Sequence, residues 1–430
     1  MTQSSAIPGF FKLSISERQE KIQSVVELNE EDISVLKNSE NSLQMSIADS
    51  MVENCISIHH IPIGVATNFL VDGKDVLVPM ANEEPSVVAG ASFAAKLCRP
   101  AGGFITSLGN NICTGQVVLI PGSSDSDPVS QVLGIKSEIL MLADSTMPSM
   151  VSRGGGAVDL DVRLVETDSC PTLVIDLHVN VVDAMGANAV TTACELIQTF
   201  VSSQFGYEPL MGIVTNLSKK RVVHAIAKWH IKDLKTPEYD GMKVAERIIM
   251  AANLAKADPA RAATHRKGIM NGVTAVVLAT GNDTRAVESA VHTFALTEFR
   301  NQSLTEYRID NNRDLVGEIW IPVPVGVVGG SIKRNKSTQV MKKMLRAETA
   351  DALARVIASV GLAQNFAALK ALVTSGISKG HMKLHCRNIA HEAGATELEI
   401  ESLSNILISD GKISVSNARK LLQNMRCPLQ

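Results

Sequence analysis

Aromatic side chains are scarce in this chain of 430 residues, with 2 Trp, 3 Tyr and 10 Phe. Its cores must therefore be built from Val, Ile, Leu, Ala and Met. Charge of one sign is missing too: 41 Lys and Arg stand against 44 Asp and Glu, a net −3. That balance removes the electrostatic footprint of a nucleic-acid binder. No run approaches the roughly 18 apolar residues that span a bilayer, so no membrane segment is expected. Residues Met1 to Ser24 are polar, with no basic stretch leading into an apolar one, and no signal peptide is expected. The seven cysteines include no Cys-x-x-Cys pair. Such an odd, scattered set reads as reduced thiols of a cytoplasmic protein. Also absent are a Gly-x-Gly-x-x-Gly turn behind a strand and a Walker loop, which excludes the two commonest nucleotide fingerprints.

What is present is globular: 45% apolar and 20% charged residues, over a length of about two or three domains. Residues 1–50 read as a helical lead-in, with Ser14 or Ser16 capping its first helix. Asp72-Gly73 between two apolar runs predicts a hairpin. Pro85 opens a small-residue helix, Ser86 to Lys96, and is expected at its first helical position. From 110 to 217 the pattern changes. A strand at Gln116–Ile120 precedes a helix from Asp127-Pro128 to about Leu142. Strands alternating at Val158–Leu164 and Ile175–Val181 follow, then a helix Ala187–Phe205 and a strand near Gly212–Thr215. This βαββαβ order is the split βαβ, or ferredoxin-like, arrangement. Beyond it, Tyr239–Lys256 and Asn282–Leu296 read as helices around a loop, Asp258–Gly272. Ile319–Val328 reads as a strand and turn, Ala347–Thr374 as an Ala-rich helix, and the last fifty-odd residues as a small helical appendage. The fold class expected is α+β, a large mixed domain (1–110 and 218–374) with an inserted small domain (111–217) and a C-terminal unit (375–430).

Several segments have the residue types that chemistry needs. Asp183-Ala-Met-Gly-Ala-Asn188 lies between a strand and a helix, where small residues let an anion reach the helix N-terminus. A tight turn capped by Asp183 or Asn188 is the competing reading. Lys267 lies in the predicted loop, and Asp283 follows the buried run Val273–Leu278, at the kind of loop that carries site residues. A surface lysine and a capping aspartate are the plain alternatives. Glu83 and Glu84 precede a helix, where either complements the dipole. His381 and His385 share a helical face at i, i+4, but Met382 stands where a zinc motif has an acid, and no metal is assigned.

Taken together, these segments resemble 3-hydroxy-3-methylglutaryl-coenzyme A (HMG-CoA) reductase of the class II, bacterial and archaeal kind. The stretches that carry the resemblance are Glu53-Asn54 with Ile61-Pro62-Ile-Gly64, Glu83-Glu84-Pro85-Ser86, Asp183–Asn188, Arg261–His265 with Lys267–Asn271, Ala279–Asp283, Gln364-Asn365-Phe366 and Gly380-His381-Met382. The resemblance implies reduction of HMG-CoA to mevalonate and CoA through bound mevaldehyde, or the reverse oxidation, with NADH or NADPH. It implies a CoA-binding large domain, a dinucleotide-binding small domain and a mobile C-terminal flap. It also implies a homodimer or larger assembly of dimers, without nucleic acid or membrane.

Residue roles follow from the same resemblance. Lys267 is the oxyanion partner, Asp283 hydrogen-bonds and orients it, and Glu84 is the acid that protonates the mevaldehyde oxygen. His381 protonates the departing CoA thiolate. Arg261 pairs with the HMG carboxylate, and Ser86, Asn271, Gln364 and Asn365 are its polar neighbours. The CoA-contacting arginine of relatives falls here on Phe11 or Lys12, of which Lys12 is the candidate, and Ser57 replaces a loop glycine. Asp183, Met185, Gly186, Ala187 and Asn188 hold the dinucleotide. Asp144 is the acid nominated for the adenosine ribose, which favours NADH, whereas Lys136 and Arg153 are the cations that a 2′-phosphate would use. A catalytically dead scaffold on the same fold is disfavoured by the joint presence of Glu84, Lys267, Asp283 and His381. An unrelated dehydrogenase is disfavoured because it leaves Arg261–Asn271 and Gly380-His381-Met382 unexplained together.

Overall fold

Strand alternation builds two separate sheets. A computed structural model describes residues 4–38, 42–122, 127–297 and 303–426, without the side chains of 331 and 377–384. The strands are β1 (Ile63–Val71), β2 (Lys74–Ala81), β3 (Phe104–Leu108), β4 (Ile112–Ile120), β5 (Gly156–Val165), β6 (Thr172–Asn180), β7 (Glu208–Val214), β8 (Val222–His230), β9 (Thr305–Ile309) and β10 (Asp314–Pro322). Six of them pair in the order β2-β1-β3-β8-β10-β9 and the other four in the order β5-β6-β4-β7.

The six-stranded sheet lies against helices around one apolar core. Asp72 and Gly73 both take positive φ, the type I′ turn that matches the strand twist of β1 and β2. In β8, Val223, Ala225, Ala227 and Trp229 point inward from a strict alternation. The central helix, Ala350–Val373, is buried on nearly every side from Leu353 to Phe366. Its Phe366 stacks on Trp229 at 3.9 Å between ring centroids. By length and composition alone this helix could cross a membrane. Arg355, Gln364, Asn365 and Lys370 interrupt its apolar run, and its apolar surface is used in the core.

The four-stranded sheet has its own core, with Leu119, Ile139, Leu160, Ile175, Leu177, Val190 and Ile197 fully or almost fully buried. Its third strand, β6, pairs antiparallel with both β4 and β5, which is the split βαβ arrangement. The helix Ala187–Phe205 covers it, with the boundaries expected from its pattern. Three C-terminal helices, Ile377–Glu392, Glu397–Asp410 and Val415–Arg426, bury a small cluster of their own around Cys386, Leu403, Leu407 and Leu422.

Four local expectations change. Asp258–Gly272 is no loop: Asp258 caps Ala260 N–H at 3.1 Å and a 21-residue helix, Pro259–Ala279, runs through it. Aspartate followed by proline is a helix start, and Ala262, His265, Ile269, Val273 and Val276 repeat at helical spacing on its buried side. Pro85 precedes the helix rather than starting it, since Ser86 is the N-cap of Val87–Cys98. The helix from Asp127 breaks at Ile135 into Pro128–Gly134 and Lys136–Ser145. The helix expected over Ala347–Thr374 runs from Ala350 to Val373, and a loop of 374–376 leads to Ile377, where the next helix begins.

Candidate functional site

The Pro259–Ala279 helix presents Lys267, Asn271, Thr274 and Leu278 at i, i+4, i+7 and i+11, one face of the helix. Asn271, Thr274 and Leu278 line a cleft of about 520 Å³ whose other walls are the Ala81–Glu84 segment with Val87 and the start of the helix Thr284–Thr297. Lys267 Nζ donates to Glu84 Oε2 at 2.8 Å, and Glu84 lines the cleft. Asn82 Oδ1 accepts the Glu84 N–H at 2.9 Å, so the turn that holds this carboxylate is itself tied down. The side chains of Lys267 and Glu84 are 62% and 37% exposed, which leaves both open to a ligand.

Beside them, Ser86 has φ +76°, a strained left-handed value for a side chain larger than glycine. It stands at an N-cap yet makes no capping bond, and among the described residues its buried Oγ has no partner. Gln364 Oε1 is in the same condition, in a side chain packed against Gly90 and Gly272. Buried oxygens without partners are costly, and a polar ligand would satisfy them.

The other predicted residues divide. Asp283 directly precedes Thr284 and Arg285, which line the cleft, but among the described residues its carboxylate is bound to Arg285 and not to Lys267. Its Oδ1 accepts the Arg285 and Ala286 N–H groups and its Oδ2 lies 3.2 Å from Arg285 Nη2. The lysine instead takes Glu84, because the aspartate first satisfies a helix N-terminus. Asn365 lies inside the core, 1% exposed. Its Oδ1 accepts from the Tyr307 hydroxyl at 2.8 Å, and its Nδ2 meets His265 Nε2 at 3.1 Å. Burial, helped by Arg261 and Arg266, pushes His265 down to about 3 and keeps it neutral. Arg261 starts the same helix, half-buried, nearly two turns before Lys267. Lys12 is exposed on a short 3₁₀ turn, over the ring of Phe11. His381 falls in the second turn of Ile377–Glu392, and its side chain lies outside the described residues. Arg285, Glu288 and Thr274 at the cleft were not among the candidates; reading Lys267 on a helix would have found Thr274.

In the small unit, Gly186 has φ +99° and precedes the 19-residue helix Ala187–Phe205, which has no side-chain cap. A Cβ on Gly186 would lie 2.5 Å from Val181 Cγ1. An uncapped helix start behind an obligatory glycine is a cradle that fits the pyrophosphate of a dinucleotide. Asp183 is partly committed elsewhere, since its Oδ1 accepts the Ala350 N–H at 3.0 Å. Asp144 stands at the same end of the sheet, against Gly156, with Oδ1 on the Ala157 N–H at 2.7 Å. Lys136 is paired with Asp159, and Arg153 with the Ser149 carbonyl.

An ammonium and a carboxylate beside a substrate-sized cleft, with a separate uncapped helix start open to an anion, are the features of an enzyme that handles an anionic ligand. A sequence model described as hydroxymethylglutaryl-coenzyme A reductase matches residues 14–386. The 3-hydroxy-3-methylglutaryl-coenzyme A reductase of Archaeoglobus fulgidus is 44% identical over 98% of this chain and 95% of its own. The reductase structure from Streptococcus pneumoniae matches with a TM-score of 0.82 at 38% identity, over 98% of this chain and all of that one. A class II structure from the same organism, bound to NADPH in open conformations, matches at 0.81 and 38%, over 86% of this chain and 100% of that one. The chain belongs to the hydroxymethylglutaryl-coenzyme A reductase family, NAD(P)-dependent oxidoreductases that reduce HMG-CoA to mevalonate.

Proposed function

We propose that the 520 Å³ cleft performs this reduction, with Lys267, Glu84, Asp283 and His381 as its chemical groups. The observation that carries the reading is the 2.8 Å Lys267–Glu84 pair, a cation and an acid on one spot at the edge of the cleft. The dinucleotide supplies the hydride in each of two reductions. Lys267 stabilises the negative charge that grows on the carbonyl oxygen of the thioester, and then of the aldehyde. Glu84, a carboxylate while it accepts from that ammonium, takes up a proton from solvent and delivers it to the mevaldehyde oxygen. Asp283 has an oxygen on the exposed Arg285 and exchanges it for Lys267 when substrate enters. His381 gives its proton to the CoA sulfur; a thiol titrates near 8.5, so an imidazolium is a competent donor. Ser86, Gln364 and Asn271 contact the HMG moiety, Arg261 its carboxylate and Lys12 the CoA.

The turn Asp183–Asn188 cradles the pyrophosphate through Met185, Gly186 and Ala187, and Asp144 offers its second oxygen to the ribose. With Lys136 and Arg153 held by other partners, NADH serves at least as well as NADPH. The enzyme works in the cytoplasm, a reading supported by six free cysteines among the described residues. A homodimer, or a larger assembly of dimers, is supported by the bare apolar side chains of Val52 and Ile56, 60% and 94% exposed. The large domain (1–110 and 218–374) binds CoA, the small one (111–217) the dinucleotide, and the unit 375–430 closes over both. One spectrophotometric assay tests the cofactor side: with HMG-CoA and each dinucleotide, a kcat/KM strongly favouring NADPH overturns the assignment of Asp144.

A further inference from the structure

We infer that Arg221, Asn282 and Gly326 form a splint that sets the distance between the dinucleotide cradle and the cleft; the first two are positioning residues for hydride transfer. The inference rests on the reading of Asp183–Asn188 as that cradle. Arg221, just ahead of β8, is 3% exposed, and both of its hydrogen-bonded partners are neutral carbonyls. One Nη donates to Met185 O in the cradle and the other to Val325 O, each at 2.8 Å. Among the described residues its Nε is buried without a partner, and although the Asp351 carboxylate is near enough to favour its charge, the two form no ion pair. A buried cation without a hydrogen-bonded carboxylate is an expensive way to stabilise a fold. It does fix geometry, because a planar guanidinium holds two carbonyls in a set orientation.

The chain beyond Val325 continues the link. Gly326 N–H donates to Asn282 Oδ1 at 2.8 Å, and Asn282 and Asp283 lead directly into Thr284 and Arg285, which line the cleft. Asn282 Nδ2 also holds the Thr280 carbonyl and hydroxyl, so this side chain is fixed at both ends. A Cβ on Gly326 would lie 2.4 Å from Met185 N, so only glycine lets the two backbones approach here. Val327 N–H bonds Asp183 O at 2.9 Å, and Ala184 bridges Val328. The segment Val325–Val328 thus touches the cradle on one side and the Asp283 loop on the other, and Arg221 ties the first contact in place.

Hydride transfer is the step that such spacing governs. Reacting atoms must stand about 3–3.5 Å apart, and a misplacement of about 1 Å costs on the order of 100-fold in rate. Loosening the splint should leave each ligand able to bind and slow only the transfer between them. The two side chains act on one link, so losing both should be little worse than losing one.

The test is single-turnover hydride transfer by the full-length enzyme with HMG-CoA and dinucleotide carrying hydrogen or deuterium at the transferred position. Arg221→Met, Asn282→Ala and their double variant are compared with wild type. Each single variant is expected to transfer at least tenfold more slowly, with an enlarged isotope effect on turnover. Dissociation constants for dinucleotide and HMG-CoA should stay within threefold, and the double variant should lie within threefold of the slower single. Arg221→Lys, which keeps the charge and one carbonyl bond, should recover part of the rate; a merely structural defect would show no such split. If Arg221→Met does not fold, Arg221→Lys and Asn282→Ala make the same comparison. A wild-type rate and isotope effect in Asn282→Ala, or losses that multiply in the double variant, overturn the splint. Gly186→Ala tests the cradle separately. Unchanged dinucleotide affinity there overturns the cradle reading and the splint with it, whereas a tenfold loss beside a normal Asn282→Ala rejects the splint alone.

Discussion

Replacing Lys267 with alanine should separate catalysis from folding more cleanly than any other single change. The lysine is 62% exposed and, among the described residues, its one ion pair is to a carboxylate that is 37% exposed. Water screens such a pair, so its contribution to stability is about 0–1 kcal/mol. The Lys267 side chain leaves from the exposed side of its helix, while His265, Ile269 and Val276 bury the opposite one, so its removal opens no cavity. Alanine also has the higher helix propensity, which offsets part of the loss. In the transition state the balance reverses. An ammonium aimed at a developing oxyanion acts where charge is being created, and losing one such donor costs about 2.7–4 kcal/mol. At about 1.4 kcal/mol per factor of ten, turnover should fall by roughly 100- to 1000-fold. The assay is dinucleotide absorbance with saturating HMG-CoA, alongside a denaturation midpoint and a CoA titration on the same preparation. Activity should collapse while the midpoint and CoA affinity barely move. Near-normal turnover would refute the oxyanion role, and a collapse of the midpoint would refute the claim that this side chain is spare to the fold.

Three other outcomes are expected. His381→Gln should badly impair HMG-CoA reduction and affect reduction of free mevaldehyde with CoA present much less, since thiolate protonation is needed only when the thioester is cleaved; equal losses in the two rates would place His381 elsewhere in the mechanism. Asp144→Ala should lower kcat/KM with NADH severalfold and leave NADPH nearly unchanged, and an equal loss for both would mean that the aspartate only braces Gly156. His265, held at about 3 in the fold against about 6.5 in the unfolded chain, stays neutral where the unfolded histidine takes up a proton. The stability this gives is complete above pH 6.5 and is lost as pH falls toward 3, at up to about 1.4 kcal/mol per unit; denaturant titrations of His265→Gln should show that acid limb flattened, and an unchanged slope would show the histidine to be protonated in the fold.

Much of the molecule is legible in its residues because the information is local. Alternation at Val158–Leu164 and Ile175–Val181, turn chemistry at Asp72-Gly73 and the helical run after Gly186 each report their own structure within a few positions. The family motifs are legible for the same reason, being contiguous. Val222–His230 is not among the expected strands although its Val, Ala, Ala and Trp alternate, and its place in the middle of a sheet between β3 and β10 is a matter of pairing and not of pattern. The helix Pro259–Ala279 was hidden by its composition: Arg, Thr, His and Lys crowd its first turns, and its last turns are apolar nearly all round.

Only the tertiary structure decided what those motifs touch. It gave Lys267 to Glu84 across 183 residues of chain, gave Asp283 to its own helix start and to Arg285, and drew Asn365 into the core with Tyr307 and His265. It also joined Arg221 to Val325, 104 residues away, and Asn282 to Gly326. A side chain's polarity and its neighbours' periodicity show that it needs a partner and which way it points. Which partner it receives depends on how distant segments pack, and that choice is made by the whole core at once.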